Sequence, residues 1–125
     1  MTRRFPKRLL SLLNESMALR IRAGADHRFL GIWVVVVDDR VFVRPWNDLP
    51  GGWRRAFLSE PDGAILFGGR KREIPVRARP VRAERLFDAT DAAYARKYAS
   101  RGAQKWVRGF ATARRRKTTM ELRPR

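Results

Sequence analysis

The chain has 125 residues, of which 44% are apolar, and this is enough for one compact domain with its own core. It contains no cysteine, which excludes disulfides, thiolate metal sites and cysteine nucleophiles. Its 29 basic and 12 acidic residues give a net charge of +17, and 24 of the basic residues are arginine. Such a charge attracts polyanions such as nucleic acid, but an arginine-rich genome composition accounts for it equally well.

The first third of the chain contains one predicted helix and two predicted strands. Apolar residues at helical spacing predict a short amphipathic helix over residues 6–15. A loose alternation predicts a first strand over residues 18–22. Residues 32–37 are apolar at every position, as in a strand that is covered on both faces, and are too few to cross a bilayer. The paired arginines at residues 3–4 lack the long apolar segment of an export signal, so we expect a cytoplasmic protein with no membrane span.

A hairpin follows, with an acidic turn at residues 38–39 or one residue later. The returning strand covers residues 41–45. Side chains alternate between the two faces of a strand, so Phe42, Arg44 and Trp46 share one face if the extended geometry continues. This face therefore combines aromatic rings with a cation.

A Pro/Gly turn over residues 49–52 leads from the hairpin into a predicted helix over residues 53–59. The start of this helix carries Trp53, Arg54 and Arg55. Cations and large flat rings therefore converge at the end of the hairpin. This pattern suits a planar, anionic ligand such as a flavin phosphate or a nucleotide.

The remaining elements alternate between strands and helices. Strands are predicted over residues 64–67, 73–81 and 118–122, and helices over residues 89–99, with Asp88 as N-cap, and 104–111. The cations at residues 114–117 are expected in a loop. This order predicts a single α+β domain over residues 1–125. It predicts a small antiparallel β-barrel-like architecture of about six strands, with an N-terminal helix and two or three further short helices.

The common catalytic and metal-binding signatures are missing from the sequence. His27 is the only histidine, so no metal site is predicted. No nucleophile elbow, phosphate-binding loop or dinucleotide fingerprint occurs. Each of the four tryptophans could stack on a planar ring, and Trp46, which lies in a loop near a proline, is the best candidate for that role. Aromatic side chains more often belong to the core, so Trp33 and Trp106 are expected there, and Trp53 is expected to pack its helix onto the barrel unless it contacts a ligand. The catalytic residues stay unknown.

Four segments carry a resemblance to a known group of proteins: IWVVVVDDRVFVR, GGWRRAFL, DAAYARKY and TTMELRP. Together they resemble an uncharacterised bacterial family that looks like a branch of the split-barrel flavoproteins. That group includes pyridoxamine-phosphate-oxidase-like proteins and deazaflavin-dependent nitroreductases. The resemblance extends from about Phe5 to Pro124.

This resemblance implies a six-stranded split barrel, often a homodimer, that binds FMN or a deazaflavin coenzyme near the subunit interface. It implies an oxidoreductase whose reaction is unknown, with cations on the cofactor phosphate and a tryptophan on its ring. The expected cofactor-binding residues are Arg44, Trp46, Trp53, Arg54, Arg28 and His27.

Two alternatives remain open from the sequence alone. In the first, a basic face binds nucleic acid or another polyanion without catalysis. The residues expected for that role are Arg77, Arg79, Arg114, Arg115, Arg116 and Lys117. In the second, the barrel has lost its cofactor and serves as a structural partner.

Overall fold

The computed structural model describes residues 4–125 and every side chain among them except that of Arg101. Within this range the chain forms seven strands and five helices. The strands are β1 (Leu19–Ala23), β2 (Leu30–Ile32), β3 (Val35–Val37), β4 (Arg40–Val43), β5 (Asp62–Leu66), β6 (Ile74–Pro80) and β7 (Met120–Pro124). The helices are α1 (Lys7–Glu15), α2 (Trp53–Ser59), α3 (Glu84–Lys97), α4 (Gln104–Phe110) and α5 (Ala113–Arg116), and a 3-10 turn at Arg101–Ala103 precedes α4.

All seven strands belong to one antiparallel sheet with the order β2-β1-β5-β6-β7-β4-β3. The two edge strands of this order, β2 and β3, are separated in the chain only by Trp33 and Val34. The sheet must therefore curl until its edges meet in a single chain segment. The α+β split barrel expected from the sequence and the resemblance is confirmed, and the chain around the second predicted strand, residues 32–37, forms two strands, β2 and β3.

The inside of the barrel forms the main hydrophobic core. Alternate residues of the strands point into it, among them Leu19, Ile21, Val41, Val43, Ile65, Val76 and Leu122. Helix α2 packs on this core with Trp53 and Phe57, whose rings meet edge to face at 6.3 Å. The prediction that Trp53 packs its helix onto the barrel is therefore confirmed.

A second hydrophobic cluster lies outside the barrel, beneath α3 and α4. Val35 and Phe42 point outward into this cluster, whereas Val34, Val41 and Val43 belong to the inner core. The apolar run after Gly31 is thus covered on both faces, as predicted. This arrangement fixes α3 over the β3–β4 hairpin.

The turn of that hairpin uses two aspartates in a conformation that usually requires glycine. Val37 pairs with Arg40, so Asp38 and Asp39 are the two turn residues, with φ of 51° and 61°. Two positive φ values are the signature of a type I′ turn, whose twist matches that of the flanking strands. Aspartate tolerates this region better than most residues because its short side chain interacts locally with the backbone.

Two predicted elements are wrong in detail. Helix α3 begins at Glu84, with Ala83 as its N-cap residue, so Asp88 lies within the helix rather than capping it. The earlier start is stabilised because Leu86 and Phe87 are buried in the outer cluster. The cations at residues 114–117 do not form a loop, since most of them belong to α5. No helix within residues 4–125 is long and apolar enough to span a membrane.

The interruption between β2 and β3 is held by two side chains from the end of α3. The backbone N–H of Val34 donates to Tyr98 Oη at 3.1 Å, and that hydroxyl donates to the carbonyl oxygen of Met17 at 2.6 Å. Lys97 Nζ donates to the carbonyl oxygens of Val34 at 2.7 Å and Leu13 at 3.0 Å. Within residues 4–125 the backbone groups of Val34 have no partner in a neighbouring strand, and Lys97 and Tyr98 at the end of α3 provide their hydrogen bonds instead.

We expect Tyr98→Phe to lower the free energy of unfolding by about 1–3 kcal/mol, because it leaves the buried N–H of Val34 without an acceptor. The aromatic ring that stacks on Trp33 at 3.9 Å is retained, so the variant isolates the hydroxyl. Urea unfolding followed by circular dichroism measures the difference. A change below about 0.5 kcal/mol would show that Tyr98 does not hold the strand interruption.

Candidate functional site

Trp46 lies at the centre of the candidate site, three residues after Val43, the last residue of β4. Its ring meets Trp106 edge-on at 4.5 Å and Phe110 edge-on at 5.3 Å. The guanidinium of Arg115 lies 3.8 Å from the ring centroid, and Arg115 Nε donates to the carbonyl oxygen of Trp46 at 2.8 Å. A Cβ at Gly109 would lie 2.3 Å from the ring, so only glycine allows α4 to approach this closely. The orientation of Trp46 is therefore fixed from several sides.

One side of Trp46 borders a cavity of about 420 Å³, which we call the aromatic cavity. Its lining consists mainly of aromatic rings, together with two residues of β2 and one guanidinium. The residues are Gly31, Ile32, Trp33, Arg44, Trp46, Trp106 and Phe110. A mostly apolar lining with flat rings suits a planar ring system.

The aromatic cavity is backed by stacked rings. Trp33 stacks on Tyr98 at 3.9 Å with the two rings almost parallel, and Phe110 stacks on Tyr94 at 5.0 Å. Burial raises the pKa of the Tyr98 hydroxyl to about 12 and that of Tyr94 further still, although the Arg44 charge opposes the shift at Tyr94. Both phenols therefore stay neutral in this wall at physiological pH.

Trp46 also borders a second cavity of about 380 Å³, which we call the basic cavity. Five cationic side chains line it, against one carboxylate, that of Asp48. The full lining is Pro45, Trp46, Asn47, Asp48, Leu49, Arg54, Arg55, Arg114, Arg115, Lys117 and Thr118. Convergent cations around a concave space are a binding site for a compact anion.

The cationic side chains of the basic cavity differ in whether they already form ion pairs within the protein. Arg54 and Arg55 share the Asp48 carboxylate, at 2.9 Å and 3.4 Å. Asp48 Oδ1 and Arg54 Nε are buried without a hydrogen-bond partner among the described residues. Arg114 and Lys117 are exposed and form no ion pair within residues 4–125. They are the cations most available to an incoming anion.

Arg44 lies between β4 and the outer helices, with its side chain fully buried. Its Nε donates to Thr119 Oγ1 at 2.7 Å, and Nη1 donates to Asp91 Oδ1 at 2.5 Å and to the carbonyl oxygen of Phe110 at 2.9 Å. Nη2 donates to the carbonyl oxygen of Phe87 at 3.0 Å. The guanidinium borders the aromatic cavity, but most of its N–H groups are engaged inside the protein.

Arg116 extends this network. It contacts Asp91 at 2.8 Å, Glu84 at 3.6 Å and also Asp88, so α5 is tied to α3 by ion pairs. Of the residues predicted for polyanion binding, Arg115 and Arg116 therefore have internal partners. Arg77 pairs with Asp62 at 2.7 Å on the outer face of the barrel. Arg79, Arg114 and Lys117 are the members of that set without an ion pair in the described range.

The structure brings together some of the predicted cofactor residues and separates others. Trp46 and Arg54 border the basic cavity, and Trp46 and Arg44 border the aromatic one. Trp53 is buried in the barrel core and lines neither cavity. His27 and Arg28 are exposed in the loop between β1 and β2, and they line neither cavity.

Trp106 is 39% exposed and forms part of the aromatic cavity, so the core position favoured from the sequence is wrong, and the ring-stacking alternative agrees with its placement. Its position depends on how α4 packs against Trp46, which no local pattern in the sequence indicates. Within residues 4–125, no group of histidine and acidic side chains is arranged to hold a metal ion.

We expect Arg44→Met to lower the free energy of unfolding by about 3 kcal/mol or more, because it leaves buried acceptors without their donor. Arg20→Met is the matched control: Arg20 is exposed on β1, and its replacement should change stability by less than about 0.5 kcal/mol. Chemical unfolding of both variants makes the comparison. Equal stabilities would mean that the Arg44 network contributes little to the fold.

Comparisons with known proteins identify the fold and the family. The model of a family described as "Uncharacterized protein conserved in bacteria (DUF2255)" matches residues 12–122. A conserved hypothetical protein from Mycobacterium tuberculosis has a similar structure, with a TM-score of 0.60 and 12% identity over 98% of this chain and 80% of that chain. A putative pyridoxamine 5'-phosphate oxidase from Listeria innocua has a TM-score of 0.58 and 10% identity over 95% and 90%. No curated protein matches the sequence.

Proposed function

We propose that this chain, which belongs to the DUF2255 family of uncharacterised bacterial proteins, binds a planar, phosphorylated coenzyme of the flavin or deazaflavin class. One observation carries the proposal: an aromatic cavity and a basic cavity share Trp46 as a common wall. A ligand with a flat ring at one end and a phosphate at the other matches this pair of cavities, because the ring would lie in the aromatic cavity and the phosphate in the adjacent basic cavity.

The aromatic cavity is the proposed ring site. Trp33, Trp106 and Phe110 supply flat apolar surface, and stacking of Trp33 on Tyr98 and of Phe110 on Tyr94 limits the movement of two of these rings when a ligand enters. Stacking and displacement of water from such surfaces favour binding of a planar ring.

The basic cavity is the proposed phosphate site. Arg114 and Lys117 have no competing carboxylate in the described range, and Arg54 has a buried Nε without a partner. A phosphate between them would accept charge-assisted hydrogen bonds, which are about twice as strong as neutral ones. In this proposal Arg44 positions the ring site and does not contact the phosphate. The phosphate is contacted by Arg54, Arg114 and Lys117.

A bound flavin or deazaflavin would supply hydride or electron transfer. The chain's own part would be to orient the ring between the tryptophans and to exclude water from one of its faces. The fold supports this assignment, because a putative pyridoxamine 5'-phosphate oxidase shares the barrel at 10% identity. Oxidoreductase activity depends on the same proposal, and the homodimer stays an expectation that comes from the resemblance.

The expected result of a fluorescence titration is saturable binding of FMN or a deazaflavin by the wild-type chain. Arg114→Gln together with Lys117→Gln should weaken binding of FMN at least tenfold, since each lost charged hydrogen bond is worth about 1.5–3 kcal/mol. Binding of riboflavin, which lacks the phosphate, should be weaker in the wild type and unchanged by the substitutions.

The matched control is Arg20→Gln together with Arg79→Gln, which removes the same charge from exposed positions of the barrel. If this control weakens FMN binding equally, the effect is long-range attraction and not a phosphate site. No binding of either coenzyme would contradict the proposal. A steep loss of RNA or DNA binding with salt would then favour the polyanion alternative.

A further inference from the structure

Lys97 is an unusual side chain in this protein. Only five of the 29 basic residues are lysine, and the other four, Lys7, Lys71, Lys105 and Lys117, are exposed. Lys97 is half-buried at the end of α3, and it forms no ion pair with a carboxylate within residues 4–125. Its two observed acceptors are the backbone carbonyl oxygens of Leu13 and Val34.

The geometry of these two hydrogen bonds leaves one position on the nitrogen unused. An ammonium has three N–H donors, of which two are held by the carbonyl oxygens at 3.0 Å and 2.7 Å. When the group is neutral, the same two bonds can persist and the lone pair occupies the third position. A neutral amine uses that lone pair when it attacks a carbonyl carbon.

Lys97 borders a cavity of about 380 Å³ that shares no residue with the aromatic or the basic cavity. We call it the lysine cavity; Asn14, Met17, Val35, Val36, Ala93, Arg96 and Lys97 line it. Arg96 is the only other charged residue in this lining, and it is exposed and forms no ion pair within residues 4–125. The lining therefore contains two basic side chains and no carboxylate.

Partial burial makes the neutral form of the Lys97 amine more accessible than that of an exposed lysine. Burial lowers the pKa of the Lys97 amine from 10.5 to about 8. At pH 7.5 roughly a quarter of the groups would then be neutral, against about one in a thousand for an ordinary lysine. An arginine at this position would never be neutral, which gives lysine a chemical role that the 24 arginines cannot take.

We propose that the lysine cavity is a covalent capture site for a small aldehyde that carries a carboxylate or a phosphate. Arg96 attracts the anionic group, and the Lys97 nitrogen attacks the carbonyl carbon to form a C–N bond. The carbonyl oxygen leaves as water with both hydrogens of the neutral amine. The imine that remains takes up one proton from water, and its single N–H can then serve one of the two backbone carbonyl oxygens. The step needs no oxidant or reductant and is reversible.

The test uses reductive trapping in the full chain. The protein is treated with glyoxylate and sodium cyanoborohydride at pH 7.5, digested with chymotrypsin and mapped by mass spectrometry. We expect Lys97 to be modified at least tenfold faster than the four exposed lysines, which serve as internal standards. Modification of Lys97 at the same rate as the exposed lysines would overturn the proposal.

Two variants and one probe separate recognition from general reactivity. Arg96→Gln should slow the modification of Lys97 by glyoxylate severalfold and leave its modification by uncharged propionaldehyde unchanged. Equal effects on both aldehydes would show that Arg96 recognises no anion. Lys97→Arg, checked for folding by circular dichroism, should abolish the mapped adduct; an adduct that persists would place the reaction elsewhere.

Discussion

The Arg44 guanidinium carries a full positive charge inside the protein, and the outer layer is arranged around it. Its acceptors come from α3, from the end of α4 and from the residue just before β7. A buried charge is tolerated only when paired and hydrogen-bonded, so these elements must meet at one point. Since Phe110 supplies one acceptor, the network also sets the position of the ring that borders Trp46.

The division between the two cavities depends on a second contact, in which Trp46 is held between α4 and Arg115. The close approach of Gly109 leaves no room for the indole to shift toward the helix, and the guanidinium covers the ring at 3.8 Å. Arg115 also donates to the backbone carbonyls of Trp46 and Gly109, so it ties together the wall and its support. The aromatic cavity and the basic cavity therefore lie next to each other and stay separated by Trp46.

The features that could be predicted from the sequence are those encoded locally. The apolar run, the acidic turn and the alternation of Phe42, Arg44 and Trp46 define the hairpin and its faces without reference to distant residues. The helix carrying Trp53 was also predictable, because a Pro/Gly turn precedes it and Pro61 follows shortly after it ends.

Features that depend on distant partners could not be predicted. The interruption between β2 and β3 is satisfied by Tyr98, 64 positions away from Val34 in the chain. The engagement of Arg44 requires Asp91, which lies 47 positions further along the chain. The basic cavity combines the loop after β4 with α5, and nothing in either segment alone indicates that they meet.

The central claim is that one ligand occupies both cavities, with its ring on one side of Trp46 and its phosphate on the other. A crystal structure of the chain with bound FMN tests this most directly. The account predicts ring density against Trp33, Trp106 and Phe110, and phosphate density beside Arg114 and Lys117. Ligand density elsewhere on the barrel, with both cavities empty, would contradict it.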